Sequence, residues 1–369
     1  MKMKRRLFGA VAGLAASLPL VAGAYAGGLE ANGYDWDLLF DPAPYASKAT
    51  ATYVHIDKNV TNAGVMPGTV STTPARVHYN AGFKADILDM ASCLVTVQNP
   101  FGSDTARTNA YAALTSQAVS ESIRSTDTGL TCAVGIQAGP GVLSFIGGIS
   151  AQNLDYRASV PTGLITNTPL SINGWSTGWR AGLAYEIPEY ALRVSAIYNA
   201  PVHYDLEGTA FGDAASADVT TPQSFELRGQ TGIAPGWLAL GSVKWMDWST
   251  LQSLTVTTIG APLVSSFAYR DGWTVTAGIG HTISEQLRLV GTASWDRGTS
   301  TPGAGDVLAA GSQTDRYGLA LGAFYNISPS VQLTGGVSAS MLAAGSNARG
   351  ESWDTGYIYA VSGGIKASF

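Results

Sequence analysis

The C-terminal stretch Tyr357-Ile358-Tyr359-Ala360-Val361-Ser362-Gly363-Gly364-Ile365-Lys366-Ala367-Ser368-Phe369 alternates in a way that decides the fold class. On an extended chain, successive side chains point to opposite faces. Tyr357, Tyr359, Val361, Gly363, Ile365, Ala367 and Phe369 therefore share one face, and Ile358, Ala360, Ser362, Gly364, Lys366 and Ser368 share the other. The first face suits lipid and the second suits water. Val331 to Met341, Leu287 to Asp296 and Arg316 to Tyr325 divide the same way, with aromatic residues toward the ends of the apolar faces. Membrane interfaces favour Trp and Tyr at those depths.

Composition fits this reading. The 369 residues are 46% hydrophobic and 13% charged, 44 are glycine, and the mean hydropathy is +0.12. Beyond residue 26 no stretch approaches the ~18 consecutive apolar residues that a transmembrane helix needs. Helical spans are excluded, and the apolar residues must be distributed one at a time along strands. At the start, Lys2, Lys4, Arg5 and Arg6 precede an apolar run from Leu7 to Val21 and the small-x-small site Ala24-Tyr25-Ala26. This is the pattern of a secretory signal peptide cleaved near Ala26. Removing those basic residues makes the mature chain more acidic than the full sequence, whose net charge is −5. That balance excludes nucleic acid as a partner.

Turn signals organise the remainder. Short ones fall at 86–89, 138–141, 187–189, 233–236, 284–285 and 328–330, and longer polar connections at about 59–76, 101–121, 158–174, 209–222, 257–266, 298–314 and 344–353. Six short and seven long connections join about fourteen strands. An even number of antiparallel strands with short turns at one rim and long loops at the other describes an all-β transmembrane barrel of the bacterial outer membrane. Residues 49–369 form this barrel. Residues 27–48, with Trp36, Leu38, Leu39 and Phe40, lack strand alternation and read as an N-terminal hatch plugging the lumen, the alternative being a mobile periplasmic tail. Within 101–121, the spacing of Ala110, Ala113, Leu114, Ala118 and Val119 fits one or two helical turns over the barrel mouth.

Parity also sorts the cations. Arg180, Arg193, Arg228, Lys244, Arg270, Arg288 and Arg316 all fall on the lumen side, as do Glu186, Glu226 and Asp296. Such a lumen offers an anionic head a cation and a greasy body an apolar wall at Ile197, Leu240, Val290 and Phe324. The structural alternative is that interior Arg and Glu simply pair, because a cation on the lipid face costs about 2–4 kcal/mol at the bilayer midplane. His55, His78, His203 and His281 are scattered without metal-ligand spacing, no nucleophile elbow occurs, and no cofactor or metal is implied. Cys93 and Cys132 stand on strands expected to be neighbours, either as a cross-strand disulfide or as two small apolar side chains of the wall.

The stretch from Thr221 through Phe225, Glu226, Arg228 and Trp237 to Lys244-Trp245-Met246-Asp247-Trp248 resembles the FadL family of outer-membrane long-chain fatty acid transporters. Leu39-Phe40-Asp41-Pro42, Tyr45-Ala46, Tyr53-Val54 and Asn99-Pro100-Phe101-Gly102 are similar to segments of its proteobacterial members. The terminal Phe369 resembles the signal read by the barrel-assembly machinery. The resemblance implies a monomeric, non-enzymatic, passive uptake channel for long-chain fatty acids or aromatic hydrocarbons. It implies capture among extracellular loops, passage past the hatch and exit through a lateral opening near a kinked strand. Two other functions compete: a porin-like channel for polar solutes, and a barrel-borne hydrolase.

Overall fold

A computed structural model describes residues 28–369; the leader and its cleavage site lie outside the described residues. Among the described residues, fourteen strands close one antiparallel barrel. They are β1 (Tyr45–Asp57), β2 (Arg76–Leu88), β3 (Ala91–Gln98), β4 (Ser120–Ala138), β5 (Gly141–Pro161), β6 (Asn167–Ile187) and β7 (Leu192–Asn199). The other half comprises β8 (Ser224–Ala234), β9 (Trp237–Met246), β10 (Gly272–Thr282), β11 (Leu287–Asp296), β12 (Arg316–Ser328), β13 (Val331–Leu342) and β14 (Gly356–Ser368). Each pairs with its neighbours in sequence, and β14 returns to β1 with Ala46 opposite Ser368 and Asp57 opposite Tyr357. Closure removes the unpaired strand edges that could not survive in lipid.

The alternation read from the sequence sets the two faces of the wall. On β14, Tyr357, Tyr359, Val361 and Ile365 point outward, as does Phe369 just past its end, and Ala360 is buried inward. An aromatic girdle follows from the register. Tyr198 stands opposite Phe225, Phe225 opposite Trp245, and Trp245 opposite Trp273; further round, Trp295 stands opposite Tyr317. The girdle indoles keep their polar ends satisfied at the loop side: Trp245 Nε1 donates to Asp271 at 3.0 Å and Trp295 Nε1 to Asp315 at 3.2 Å.

Six short connections lie where the turn signals placed them, between β2 and β3, β4 and β5, β6 and β7, β8 and β9, β10 and β11, and β12 and β13. The opposite rim differs from expectation in two places. Residues 158–174 are not one long loop: β5 runs to Pro161 and β6 begins at Asn167. Above the girdle the outer face no longer meets lipid, so polar residues occupy strand positions that a lipid criterion misreads as loop. The extension is held from inside by Ala158, Leu170 and Ile172 and flanked by a hairpin, Val202–Ala210 with Asp213–Thr221, whose Gly208 pairs with Ile172. That hairpin also replaces much of the loop expected at 209–222; Phe211 and Gly212 turn it, both at positive φ. In the connection after β3, helix α1 (Asn109–Thr115) buries Tyr111 and Ala112 and ends at Ser116 in the left-handed region.

Residues 45–48 belong to the wall, because Tyr45 already pairs with Ala85 of β2. The N-terminal segment proper is therefore 28–44. It contributes Leu29, Tyr34, Trp36, Leu38 and Leu39 to the largest buried apolar cluster, with Phe101, Ile197, Tyr204 and Trp248 from the wall and loops. A second, smaller cluster of Ala191, Leu238, Val290 and Phe324 fills another part of the lumen, with Leu240 packed against it.

Candidate functional site

Segment 28–44 contains four acids, Glu30, Asp35, Asp37 and Asp41, and no base. Each acid meets a different cation of the wall. Glu30 pairs with Lys244, Asp35 with Lys48 at 2.6 Å, Asp37 with Arg228 at 3.1 Å and Asp41 with Lys366 at 2.7 Å. A short 3-10 turn, Asp37–Phe40, aims Leu38 and Leu39 into the apolar cluster while Trp36, just before it, is 2% exposed. Lys84 Nζ donates to the carbonyl oxygens of Asp41 and Ala43, fixing the end of the segment to β2. In a desolvated interior, paired charges of this kind are costly to break, because each lone partner is left buried.

The seven cations singled out by parity fall into three groups. Arg180, Arg193 and Arg228 form one, and they repeat a single arrangement: a guanidinium between a carboxylate and an aromatic ring of the N-terminal segment. Arg180 lies 3.1 Å from Asp127 and 5.0 Å from the Tyr34 ring centre; Arg193 lies 3.7 Å from Glu186 and 4.5 Å from that of Phe40. Arg228 grips Glu226 as well as Asp37 and lies 5.3 Å from the Trp36 ring centre. Arg193 and Arg228 also line a small recess of about 30 Å³ with Asp37, Ser195 and Leu240. Lys244 and Arg316 form the second group, each held by one acid, Glu30 and Asp296 respectively. Arg270 and Arg288 stand apart. Arg270 precedes β10 and donates to the Gly298 carbonyl at 2.9 Å, and Arg288 lies on β11 opposite Phe324.

The wall is interrupted where β3 stops at Gln98. Asn99 and Pro100 leave the ladder, and residues 102–107 return to pair with β4. The N-terminal segment closes on this break from inside. Ala31 N–H donates to the Pro100 carbonyl at 2.9 Å and Gly102 N–H to that of Leu29 at 2.8 Å. Near the other end of β3, beside the short turn, Cys93 and Cys132 are joined as a disulfide between β3 and β4.

Above the break lies a cavity of about 420 Å³ that sequence parity did not reveal, because its lining comes from the N-terminal segment, five separate connections and the tops of β4, β5 and β6. Val160, Leu170, Val256, Leu263 and Phe267 supply apolar wall, and Arg107, Glu121 and Glu351 supply charge. Both carboxylates are already partnered. Glu121 pairs with Arg107 at 2.7 Å and accepts from Tyr156 and Ser265, each at 3.0 Å. Glu351 accepts from Tyr111 at 2.8 Å and Asn347 at 2.6 Å, tying α1 to the last loop. Burial pushes the Glu351 carboxyl up, but the Asn347 and Tyr111 hydrogen bonds and the nearby Arg349 outweigh it and hold it below the usual carboxylate range. Leu29, Ile123, Tyr156 and Phe267 line both this cavity and a narrow apolar cleft beneath it, which reaches Phe101, Leu206 and Trp248.

A family model described as outer membrane protein transport protein (OMPP1/FadL/TodX) matches residues 80–356. The chain belongs to this family. The family is described as one of outer-membrane transport proteins, in line with the sequence reading. The long-chain fatty acid transport protein of Escherichia coli K12 is 25% identical to this family member over 162 residues, 33% of this chain and 36% of that protein. That of Salmonella typhi is 26% identical over 171 residues, 36% and 39% of the two chains. The alignments thus span little more than a third of these relatives. Likeness in fold extends further. A crystal structure of a Pseudomonas aeruginosa FadL homologue matches with a TM-score of 0.73 at 15% identity, covering 92% of this chain and 93% of that one. The Pseudomonas putida toluene transporter TodX matches with a TM-score of 0.66 at 14% identity, covering 94% and 98%.

Proposed function

We propose that this family member admits hydrophobic small molecules, long-chain fatty acids or related compounds, passively across the outer membrane. The extracellular cavity captures the ligand, residues 28–44 act as the hatch that it must pass, and the broken wall at Asn99-Pro100 is the lateral exit. The observation that carries this reading is continuity: the cavity and the apolar cleft share Leu29, Ile123, Tyr156 and Phe267, and the cleft reaches Phe101 at the break. Moving a greasy molecule from water into such a lining is favourable by burial of apolar surface alone, so the step needs no cofactor and no chemical energy. Four ion pairs between the N-terminal segment and the wall argue against an open pore for polar solutes.

The test is uptake of labelled oleate, with labelled toluene in parallel, by cells that lack their own fatty acid transporter and do or do not produce this protein. A gain for either compound supports the reading. No gain for both would remove it.

A further inference from the structure

The hairpin of Val202–Ala210 and Asp213–Thr221 has two faces with different neighbours. Inward, Tyr204, Leu206, Ala215 and Ala217 join the main apolar cluster, and Leu206 and Val219 line the cleft. Outward, His203, Asp205 and Glu207 stand exposed on one strand and Asp218 on the other. The register sets Asp205 directly opposite Asp218, and His203 opposite Thr220. Like charges directly opposite one another destabilise a ladder, and this hairpin offers them no base. It carries Asp205, Glu207, Asp213 and Asp218 but neither Lys nor Arg. Segment 28–44 gives the contrast: each of its acids has a wall cation, whereas among the described residues no Lys or Arg forms an ion pair with the acids of the hairpin.

Beside the opposed carboxylates stands an imidazole. His203 Nε2 lies 3.3 Å from Asp205 Oδ1, and one ligand atom from each of His203, Asp205 and Asp218 lies within 4.8 Å of the other two. The other ring nitrogen, Nδ1, is 3.1 Å from the Thr220 hydroxyl across the ladder. That contact fixes the ring with Nε2 toward the carboxylates, as metal-bound imidazoles are fixed through the nitrogen that the ion does not use. We propose that His203, Asp205 and Asp218 form a surface site for a borderline divalent metal ion, Zn²⁺ or a neighbour such as Cu²⁺ or Ni²⁺. Ligand–metal distances near 2.1 Å in a tetrahedral shell put the ligand atoms about 3.4 Å apart, so His203 and Asp205 already have the spacing of a ligating pair. Asp218 closes the remaining gap by rotation of an exposed side chain. An imidazolium alone would neutralise one of the two carboxylates; a divalent ion neutralises both. One nitrogen with two carboxylates favours these ions over Ca²⁺ and Mg²⁺, which take larger sets of oxygen ligands. With ligands from both strands, the ion staples the hairpin over the cleft that its other face lines. The spacing of the histidines in sequence hides the site, because the third ligand arrives through strand pairing.

The test uses the untagged mature protein, purified in detergent, stripped with a chelator and titrated calorimetrically with Zn²⁺ and, separately, with Ca²⁺. Saturable binding of one Zn²⁺ per chain is expected, with no Ca²⁺ binding in the same concentration range. Thr220→Val should weaken Zn²⁺ binding by about 10-fold, as loss of a group that orients a ligand does, and Thr220→Ser should restore it. His203→Ala and Asp218→Asn remove ligands and should weaken it further. Both of these side chains are exposed, so the barrel is kept, which heat-dependent migration on gels checks. Zn²⁺ should also slow hydrogen exchange in residues 202–221 of the wild type and not of Asp218→Asn. No saturable Zn²⁺ binding, wild-type affinity in both His203→Ala and Asp218→Asn, or Ca²⁺ bound as tightly as Zn²⁺ would overturn the proposal.

Discussion

The guanidinium of Arg228 lies 5.3 Å from the centre of the Trp36 ring and, on the same group, 3.1 Å from the Asp37 carboxylate one residue further on. One wall side chain thus holds two successive residues of the N-terminal segment, by a cation–π contact and by an ion pair, while its Nε anchors on Glu226 at 2.7 Å. Arg228→Ala leaves Asp37 and Glu226 buried without this cation, which typically costs about 3–5 kcal/mol. The expected outcome is a clearly lowered thermal unfolding temperature of the folded barrel. Arg228→Lys keeps the charge but loses the fork on Glu226, and should fall between. Equal unfolding of Arg228→Ala and wild type would show that the contact is dispensable.

Glu351 gives the extracellular rim a pH dependence whose sign is fixed. Its carboxyl is held below the usual range in the folded chain, so its stabilising bonds with Tyr111 and Asn347 are fully present above the ordinary carboxylate value of about 4.3 and are lost as pH falls through the lower folded value. Acidification from pH 6 to pH 3 should therefore lower the hydrogen-exchange protection factors, taken against the slower intrinsic exchange in acid, of α1 and residues 345–353. Glu351→Gln, which cannot ionise, should flatten that response. Unchanged pH dependence in the variant would place the effect on another acid.

Cys93 and Cys132 stand opposite one another in the β3/β4 register, 39 residues apart in sequence. Closing a loop of that length restricts the unfolded chain, and disulfides of this kind contribute about 2–4 kcal/mol. The double variant Cys93→Ala, Cys132→Ala should unfold at lower urea than the oxidised protein and match the reduced one. Identical midpoints for all three would mean that the surrounding ladder alone sets stability here.

Strand order, turn positions and the lumen side of Arg180, Arg193, Arg228, Lys244 and Arg316 were legible because period-two alternation is local and the lipid face tolerates no charge. What those cations touch was not. Asp37 and Arg228 are 191 residues apart, and Asp41 and Lys366 are 325 apart. Parity reports which way a side chain points, and only the closed register reports which others it meets. The tops of β5 and β6 were hidden for the opposite reason, since above the girdle Asn167, Thr168 and Ser171 occupy strand positions whose outer face meets water. Arg270 shows the limit of extrapolating parity past a strand end, because it precedes Gly272 and its backbone follows the loop.

The charge match between segment 28–44 and the wall makes a prediction about ions rather than hydrophobic ligands. The segment brings Glu30, Asp35, Asp37 and Asp41 and no base, and these sit on Lys244, Lys48, Arg228 and Lys366. Deleting residues 28–44 leaves β1 intact from Tyr45 but removes four negative charges from the lumen. The wall cations then face water in a channel whose low-dielectric surroundings strengthen their field. Two results are expected in planar bilayers: conductance well above that of the full chain, and a reversal potential under a KCl gradient shifted to the anion-selective side. The second result separates this account from mere unblocking, because a pore opened by removing a neutral plug would change conductance without acquiring that sign. Cation selectivity in the deletion variant would show that the remaining acids, Glu226 and Asp296 among them, dominate the lumen and that the four pairs do not set its charge.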